Sequence, residues 1–307
     1  MIALRQLKPG DRIALVAPAS SFAPEELDAG VAELARLGLE AVYDESLFAR
    51  ERFVAGSAET RANAIHKAWA DPSINGLVAM RGGYGSAQLL PLLDPSLMRT
   101  ARKALIGYSD ITALLMLYLQ HGLTAIHGPM IERRISKGTD GYDEDSFRRV
   151  AMSAEPAGEL RPAQLETLHP GEAAGTLIGG TLTQMVALLG TPWACRVPDG
   201  AVLFLEDIGE RPYRVHRMLT QCAQAGMLAK VKAIVFGEFV ACGEPSGDPA
   251  IRDVLREFTE GFSGPVLFGF PSGHTVGATW TLPLGVRTRV RGGPSAGLVC
   301  EEAAVAP

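Results

Sequence analysis

The sequence predicts an α/β protein in which a doubly wound parallel sheet is followed by a second, β-rich part. Three observations carry this reading. Short apolar runs alternate with helical periods through the first part, glycine-rich turns stand directly after two of those runs, and beyond residue 171 apolar strands separated by Gly and Pro dominate.

The elements follow in order. Ile13–Ala17 is a short apolar β-run ending at Pro18, and Pro24–Leu37 places Leu27, Val31, Leu34 and Leu37 at helical spacing before Gly38. Glu40–Tyr43 reads as a strand, and Ala58–Ala70 as a helix with Ser57 as its N-cap. Gly76–Met80 is a buried strand followed by Arg81-Gly82-Gly83-Tyr84-Gly85, and Ser86–Leu93 a short helix. Ala104–Gly107 is a strand, Ile111–Gln120 a strongly apolar helix, and Thr124–His127 closes the series. From Ile135 to Gly171 the chain is polar and acidic with scattered Pro and Gly, which places an interdomain connection there. In the second part Val202–Leu205, Ala233–Phe236, Val266–Phe268 and Thr279–Leu282 read as strands. Leu182–Leu189 and Tyr213–Ala225 read as helices, and Glu301–Pro307 as a frayed tail. The domain division is therefore an N-terminal α/β domain over 1–150, a connection over 151–172 and a C-terminal β-rich domain over 173–307.

Composition excludes several classes of function. The 307 residues are 47% hydrophobic and 21% charged, an ordinary folded mix, with a formal net charge of −5 and no basic footprint for nucleic acid. No long uncharged apolar run predicts a membrane span, and the charged N-terminal stretch lacks the apolar core of a signal peptide. Cys195, Cys222, Cys242 and Cys300 form no C-x-x-C pair and no zinc-finger spacing. They read as reduced thiols of a cytoplasmic protein that needs neither metal nor cofactor.

In an open parallel sheet, ligands collect at the carboxyl ends of strands. Gly107-Tyr108-Ser109-Asp110 lies between a strand and an apolar helix and has the outline of a nucleophile elbow, although Ile111 stands where the G-x-S-x-G pattern has its second glycine. Taken alone, Ser109 reads as a helix N-cap before it reads as a nucleophile, and both readings can hold at different moments of one cycle. Arg81–Gly85, with three glycines in five residues, is a phosphate cradle, an oxyanion loop or a tight turn. No Gly-Lys-Ser/Thr follows it, so it is not a P-loop. Glu206-Asp207 ends an apolar strand, and His274 lies in the Gly/Pro-rich loop Phe270-Pro271-Ser272-Gly273-His274. Serine, strand-end acid and loop histidine are together the parts of nucleophilic acyl transfer, and the order Ser…Glu…His is also that of α/β-hydrolases.

Six segments in register, Arg81–Gly85, Gly107–Asp110, Gly190-Thr191-Pro192-Trp193, Leu205-Glu206-Asp207, Arg214-Val215-His216-Arg217-Met218-Leu219 and Gly273-His274, resemble the LD-carboxypeptidase family of serine peptidases, which includes the muramoyltetrapeptide carboxypeptidases. The resemblance runs from about Ile13 to Leu284. It implies a flavodoxin-like N-terminal domain carrying the nucleophile Ser109. It also implies a barrel-like swivelling β/α domain carrying the base His274 and its orienting carboxylate Glu206. The amides of Gly83 and Asp110 would form the oxyanion hole, and Arg81, Gly82 and Tyr84 would touch substrate. Arg81 is read either as the partner of the substrate's terminal carboxylate or as one half of a structural salt bridge. The implied reaction removes D-alanine from a cytosolic murein tetrapeptide, in a homodimer. One departure is visible: Gly179-Gly180-Thr181-Leu182 stands where the family commonly has Gly-Gly-Asn-Leu, which touches substrate contacts or helix capping rather than the triad. Two alternatives are a self-immunity peptidase acting on a peptidyl-nucleotide antibiotic and a non-catalytic binder of a cell-wall fragment or nucleotide.

Overall fold

The computed structural model describes residues 1–307. The two-residue strand β1 (Leu4–Arg5) precedes β2 (Arg12–Val16), α1 (Leu27–Arg36), β3 (Glu40–Val42), α2 (Ala58–Ala70), β4 (Ile74–Ala79), α3 (Pro95–Ala101), β5 (Ala104–Gly107), α4 (Thr112–Gln120) and β6 (Ala125–His127). After α5 (Glu144–Ala151) come β7 (Gly158–Leu160), β8 (Glu166–His169), β9 (Gly171–Thr181), α6 (Leu182–Ala187), β10 (Ala201–Glu206), α7 (Pro212–Gln224), β11 (Val231–Gly237), α8 (Ile251–Phe258) and β12 (Val266–Phe270). The chain closes with β13 (Leu282–Leu284), β14 (Arg287–Gly292), β15 (Gly297–Cys300) and β16 (Val305–Ala306).

The first sheet has the order β13-β6-β5-β4-β2-β3, in which β2 to β6 run parallel. The burial of β2, β4 and β5 on both faces explains why they read as continuous apolar runs. The order reverses at β2, whose neighbours β3 and β4 lie on opposite sides, so the switch-point crevice opens between the loops that follow β2 and β4. Ser57 caps α2 as its sequence suggests, its Oγ accepting from the Thr60 amide at 3.2 Å. Every residue of α4 from Thr112 to Leu119 is buried, which accounts for its lack of a polar face.

The second sheet has the order β7-β15-β14-β9-β10-β11-β12-β8, with β9 to β12 parallel and the outer strands antiparallel. It curls toward closure, because Thr167 of β8 accepts from the Gly293 amide just past β14 at 2.9 Å.

Several sequence-based expectations change here. The 151–172 connection contributes β7 and β8, the two outer strands of the second sheet. Within the longer polar stretch, α5 forms with Asp143 as N-cap. The strand expected over Thr279–Leu282 lies at Leu282–Leu284 and pairs with β6 of the first sheet, not the second. It covers an edge that would otherwise expose unpaired amides and carbonyls, and Pro283 is tolerated because this strand is itself an edge. The tail is not frayed: β16 pairs in parallel with β1, with Val305 and Leu4 both buried. Pairings of two or three residues are too short to leave a periodic signal. Ser86–Leu93, read as a short helix, holds one 3₁₀ turn over Ser86–Leu89.

Contacts between strand ends bring the carboxyl ends of the two parallel sets together. The Thr112 hydroxyl at the start of α4 accepts from the Thr181 amide at the end of β9 (3.2 Å), and His127 of β6 meets Ser272 just past β12 (3.0 Å).

Behind the first set of loops lies Arg61 of α2, 3% exposed. It donates to the carbonyls of Pro18 (2.7 Å), Gly85 (2.8 Å) and Gly56 (3.1 Å) and to Gln88 Oε1 (2.5 Å), so one guanidinium ties the loops after β2 and β4 together. Arg61→Met would leave the buried carbonyls of Pro18 and Gly56 without donors, while Gly85 keeps only the Gln88 amide. It should lower stability by about 3 kcal/mol, read from denaturant unfolding; an unchanged midpoint would show that water replaces the guanidinium without loss.

Candidate active site

Ser109 stands on the turn from β5 into α4 with φ of +62°, a left-handed conformation that costs a non-glycine residue on the order of 1 kcal/mol. The first helical turn folds back so closely that a Cβ on Gly107 would lie 2.9 Å from the Ile111 side chain. Ile111 therefore packs over the glycine that precedes the serine, which explains how the elbow forms without a second glycine. Neither the 3₁₀ turn at Ser109 nor α4 has a side-chain cap bond, so the N-cap reading of Ser109 is not realised.

The loop after β4 lies against this elbow. A Cβ on Gly82 would stand 2.8 Å from Ser109 Cβ and 2.9 Å from its Oγ, so only glycine allows the approach. Gly83 has φ of +103°, and a side chain there would strike Ser20. The backbone amides of Gly83 and Asp110 donate to no protein acceptor, which leaves two free donors beside the serine. The Asp110 side chain, 2% exposed, turns away and accepts from the Ser86 amide at 2.7 Å, while the Ser86 hydroxyl donates to the Asp110 carbonyl. Elbow and glycine loop are thus tied at both ends.

Glu206, at the end of β10, has no solvent exposure. Its Oε2 accepts from the His274 amide (2.9 Å) and pairs with His274 Nδ1 (2.7 Å), while its Oε1 accepts from the Thr181 hydroxyl. Burial alone would raise this carboxyl; the facing His274 imidazole and its hydrogen bond, with His127 and Thr181, outweigh it and take the group down to about 2. A carboxylate only accepts, so Nδ1 of His274 carries the proton and Nε2 presents its lone pair outward. The ring bonds to Glu206 and not to Ser109 in this structure. It lies 5.0 Å, edge to face, from the Tyr108 ring.

Glycines make room for the buried acid as well. A Cβ on Gly237 would stand 2.6 Å from Glu206 Cβ, and one on Gly273 2.7 Å from its carboxyl carbon. Next in chain, Asp207 caps α6 instead of joining the histidine, accepting from the Thr183 amide (2.8 Å) and hydroxyl (2.7 Å). Burial, opposed by the Thr183 hydroxyl and reinforced by the Glu206 charge, pushes Asp207 up to about 6.

The structure thus brings Ser109, Gly82, Gly83, Asp110, Glu206 and His274 to one junction. Arg81 pairs with the buried Glu132 at 3.3 Å and donates to the Ser21 carbonyl at 3.3 Å, with part of its side chain still open to solvent. Tyr84 is 52% exposed and packs edge to face on the 61%-exposed Phe53 with centroids 5.4 Å apart, forming a rim beside Gly83. Thr181 needs a correction: its hydroxyl bonds the buried glutamate itself, because β9 and β10 pair Thr181 with Glu206 in register, while Asp207 does the capping.

Sequence reasoning missed His127 and Arg134. Ser272 gives its hydrogen to the Trp280 carbonyl (2.8 Å), so His127 Nδ1–H donates to Ser272 Oγ at 3.0 Å. Burial holds His127 down at about 4, neutral at ordinary pH. No local pattern marks either residue, since both act across the junction. No three or more His, Cys, Asp and Glu side chains are grouped to share a metal ion. Burial pushes the thiols of Cys222 and Cys242 up to about 11, which leaves them poor nucleophiles. A separate cavity of about 240 Å³ lies between α2 and strands β2 and β3, and none of Ser109, Glu206 or His274 lines it.

Comparison with known proteins gives a consistent result. Residues 13–128 match the LD-carboxypeptidase N-terminal domain and residues 174–290 the LD-carboxypeptidase C-terminal domain. The chain is 34% identical over 270 residues to the murein tetrapeptide carboxypeptidase of Pseudomonas aeruginosa, covering 86% of this chain and 88% of that protein. It is 31% identical over 276 residues to a probable murein peptide carboxypeptidase of Bacillus subtilis, covering 88% and 86%. Among solved structures, the muramoyltetrapeptide carboxypeptidase of Oxalobacter formigenes superposes with a TM-score of 0.82 at 30% identity, over 95% of this chain and 99% of that one. The microcin C7 self-immunity protein superposes with a TM-score of 0.89 at 25% identity, over 100% of both chains.

Gly82→Ala should lower kcat/KM by about 100-fold with the fold retained, since the methyl would displace Ser109 Oγ; a variant of wild-type activity would mean the loop shifts freely. The Glu206 pKa also gives a signed expectation. A carboxyl depressed in the folded state stabilises the fold above its ordinary value of about 4.3. That contribution is lost as pH falls toward about 2. Stability of the wild type should therefore fall more steeply than that of Glu206→Gln across this window; parallel curves from calorimetry would refute it.

Proposed function

The chain belongs to the LD-carboxypeptidase family and is a serine carboxypeptidase, and we propose that it removes the terminal D-alanine from a cytosolic murein tetrapeptide during cell-wall recycling. The observation that carries the reading is the arrangement of Glu206, which fixes the His274 tautomer, opposite a serine held in the left-handed region with two free amides beside it.

The chemistry proceeds as follows. Ser109 Oγ attacks the scissile carbonyl while His274 Nε2 takes its proton. Glu206 stabilises the imidazolium that forms, and the amides of Gly83 and Asp110 receive the oxyanion; one such donor is worth about 2.7–4 kcal/mol. The C–N bond then breaks as His274 returns the proton to the D-alanine amine. A water, deprotonated by His274, attacks the acyl-enzyme, and the proton returns to Ser109 as the shortened peptide leaves. Substrate binding brings the serine within reach of the histidine, a tightening common where free-enzyme contacts are loose. Arg81 is the proposed partner of the terminal carboxylate, since its side chain remains 35% exposed despite its bond to Glu132. Gly82 and Tyr84 would line the same approach, and the active form would be a homodimer.

A second reading, self-immunity by cleavage of a peptidyl-nucleotide antibiotic, is favoured by the full-length superposition on the microcin C7 self-immunity protein. Against it, the stretch from Glu206 to Pro212 offers no tryptophan, and Tyr213, the exposed aromatic that follows it in sequence, is already flanked by Arg211 and Arg214.

Mass spectrometry of the purified protein with a murein tetrapeptide should record loss of one D-alanine by the wild type and none by Ser109→Ala. Loss by both would remove Ser109 from the mechanism; loss by neither, with turnover of an aminoacyl-nucleotide analogue, would favour the second reading.

A further inference from the structure

His274 hangs on a loop from the second sheet, whereas Ser109 ends a strand of the first, so some contact must set the distance between them. The loop is stitched to itself by Thr279 Oγ1, which accepts from the Gly273 amide (2.9 Å), and by the Thr275 hydroxyl, which donates to the Gly277 carbonyl (2.7 Å). It contains Gly273 and Gly277, and its tip residue Val276 is 86% exposed. Arg134, shortly after β6, reaches across to it. Nη2 donates to the carbonyls of Gly273 (3.1 Å) and Thr275 (3.0 Å), the residues on either side of His274, and Nη1 donates to the Gly277 carbonyl (2.9 Å). The remaining edge of the guanidinium faces the elbow, where Nε donates to the hydroxyl of Tyr108, the neighbour of Ser109, at 3.1 Å. Tyr108 in turn packs its ring against the His274 imidazole.

None of these partners is charged, and Arg134 forms no salt bridge. The three nitrogens of one planar fork make four hydrogen bonds to neutral oxygens from two separate elements. A lysine at this position would offer one compact ammonium and could not span them.

We infer that Arg134 is a positioning residue, a brace that holds the His274 loop in register with the Ser109 elbow and so sets the approach of the base to the nucleophile. This rests on the proposed triad. A displacement on the order of 1 Å at such a site is enough to cost about 100-fold in rate.

The test uses diisopropyl fluorophosphate, which labels an activated serine whatever the natural substrate, alongside tetrapeptide kinetics and thermal midpoints. Arg134→Ala should slow labelling of Ser109 and lower kcat by about 100-fold each, with KM changed less than about threefold and a folded protein at the assay temperature. Millimolar guanidinium should restore part of the labelling rate, and Arg134→Lys should remain impaired. A purely structural role would lower the midpoint while leaving the labelling rate of the folded protein unchanged, and that result overturns the inference. Should Arg134→Ala fail to fold, Arg134→Lys decides: slow labelling supports the brace, and wild-type labelling overturns it. If wild-type protein itself is not labelled at Ser109, the triad reading falls and the brace with it; if the wild type is labelled and the folded variants equal it, only the brace falls.

Discussion

A carboxylate fully removed from water governs the architecture of the junction. An ionised acid without partners is among the costliest things a protein interior can hold, so Glu206 dictates what may stand around it. It takes a hydroxyl from Thr181 on the neighbouring strand and two N–H groups from His274, and it tolerates only glycine at 237 and 273. The imidazole is therefore oriented by the same bonds that make the buried charge bearable. In the proposed triad, fold stability and chemical competence become a single requirement, to which Thr181 contributes.

On the opposite side, the serine is held by backbone geometry instead of charge. A left-handed residue, an isoleucine folded over Gly107, and Gly82 pressed against the hydroxyl leave the elbow little freedom. Asp110 and Ser86 then tie the glycine loop to that elbow, and Arg61 ties it to the loop after β2. The two halves of the site are each rigid by different means. What joins them at the site includes the Thr181–Thr112 bond, the Tyr108–His274 contact, the His127–Ser272 bond and the fork of Arg134.

Local chemistry makes much of this legible in the amino-acid sequence. The central strands of the first sheet are buried on both faces and so announce themselves as apolar runs, and the turns after β4 and β5 carry glycines at the positions where backbones crowd. The serine, acid and histidine can be named from such strand ends. What stays hidden depends on partners distant in the chain. β13 looks like part of the second sheet because its neighbours in sequence are there, yet its hydrogen bonds go to β6. Thr181 looks like a capping or substrate position because register with Glu206 is not written in either segment alone. Arg134 lies in no periodic element, and its partners lie from 26 to 143 residues away.

The crossing of β13 into the first sheet, with β16 returning to β1, also bears on how the molecule comes into being. A nascent chain folds from its beginning, and domains commonly complete themselves as they emerge. Here the leading sheet has an open side at β6 until residues 282–284 are made, and β1, which precedes that sheet, waits for residues 305 and 306. The earlier half is sealed only once these later strands have been made. A truncated product would carry its serine on an unfinished sheet with an exposed, adhesive edge, a form suited to removal by quality control rather than to stray hydrolysis.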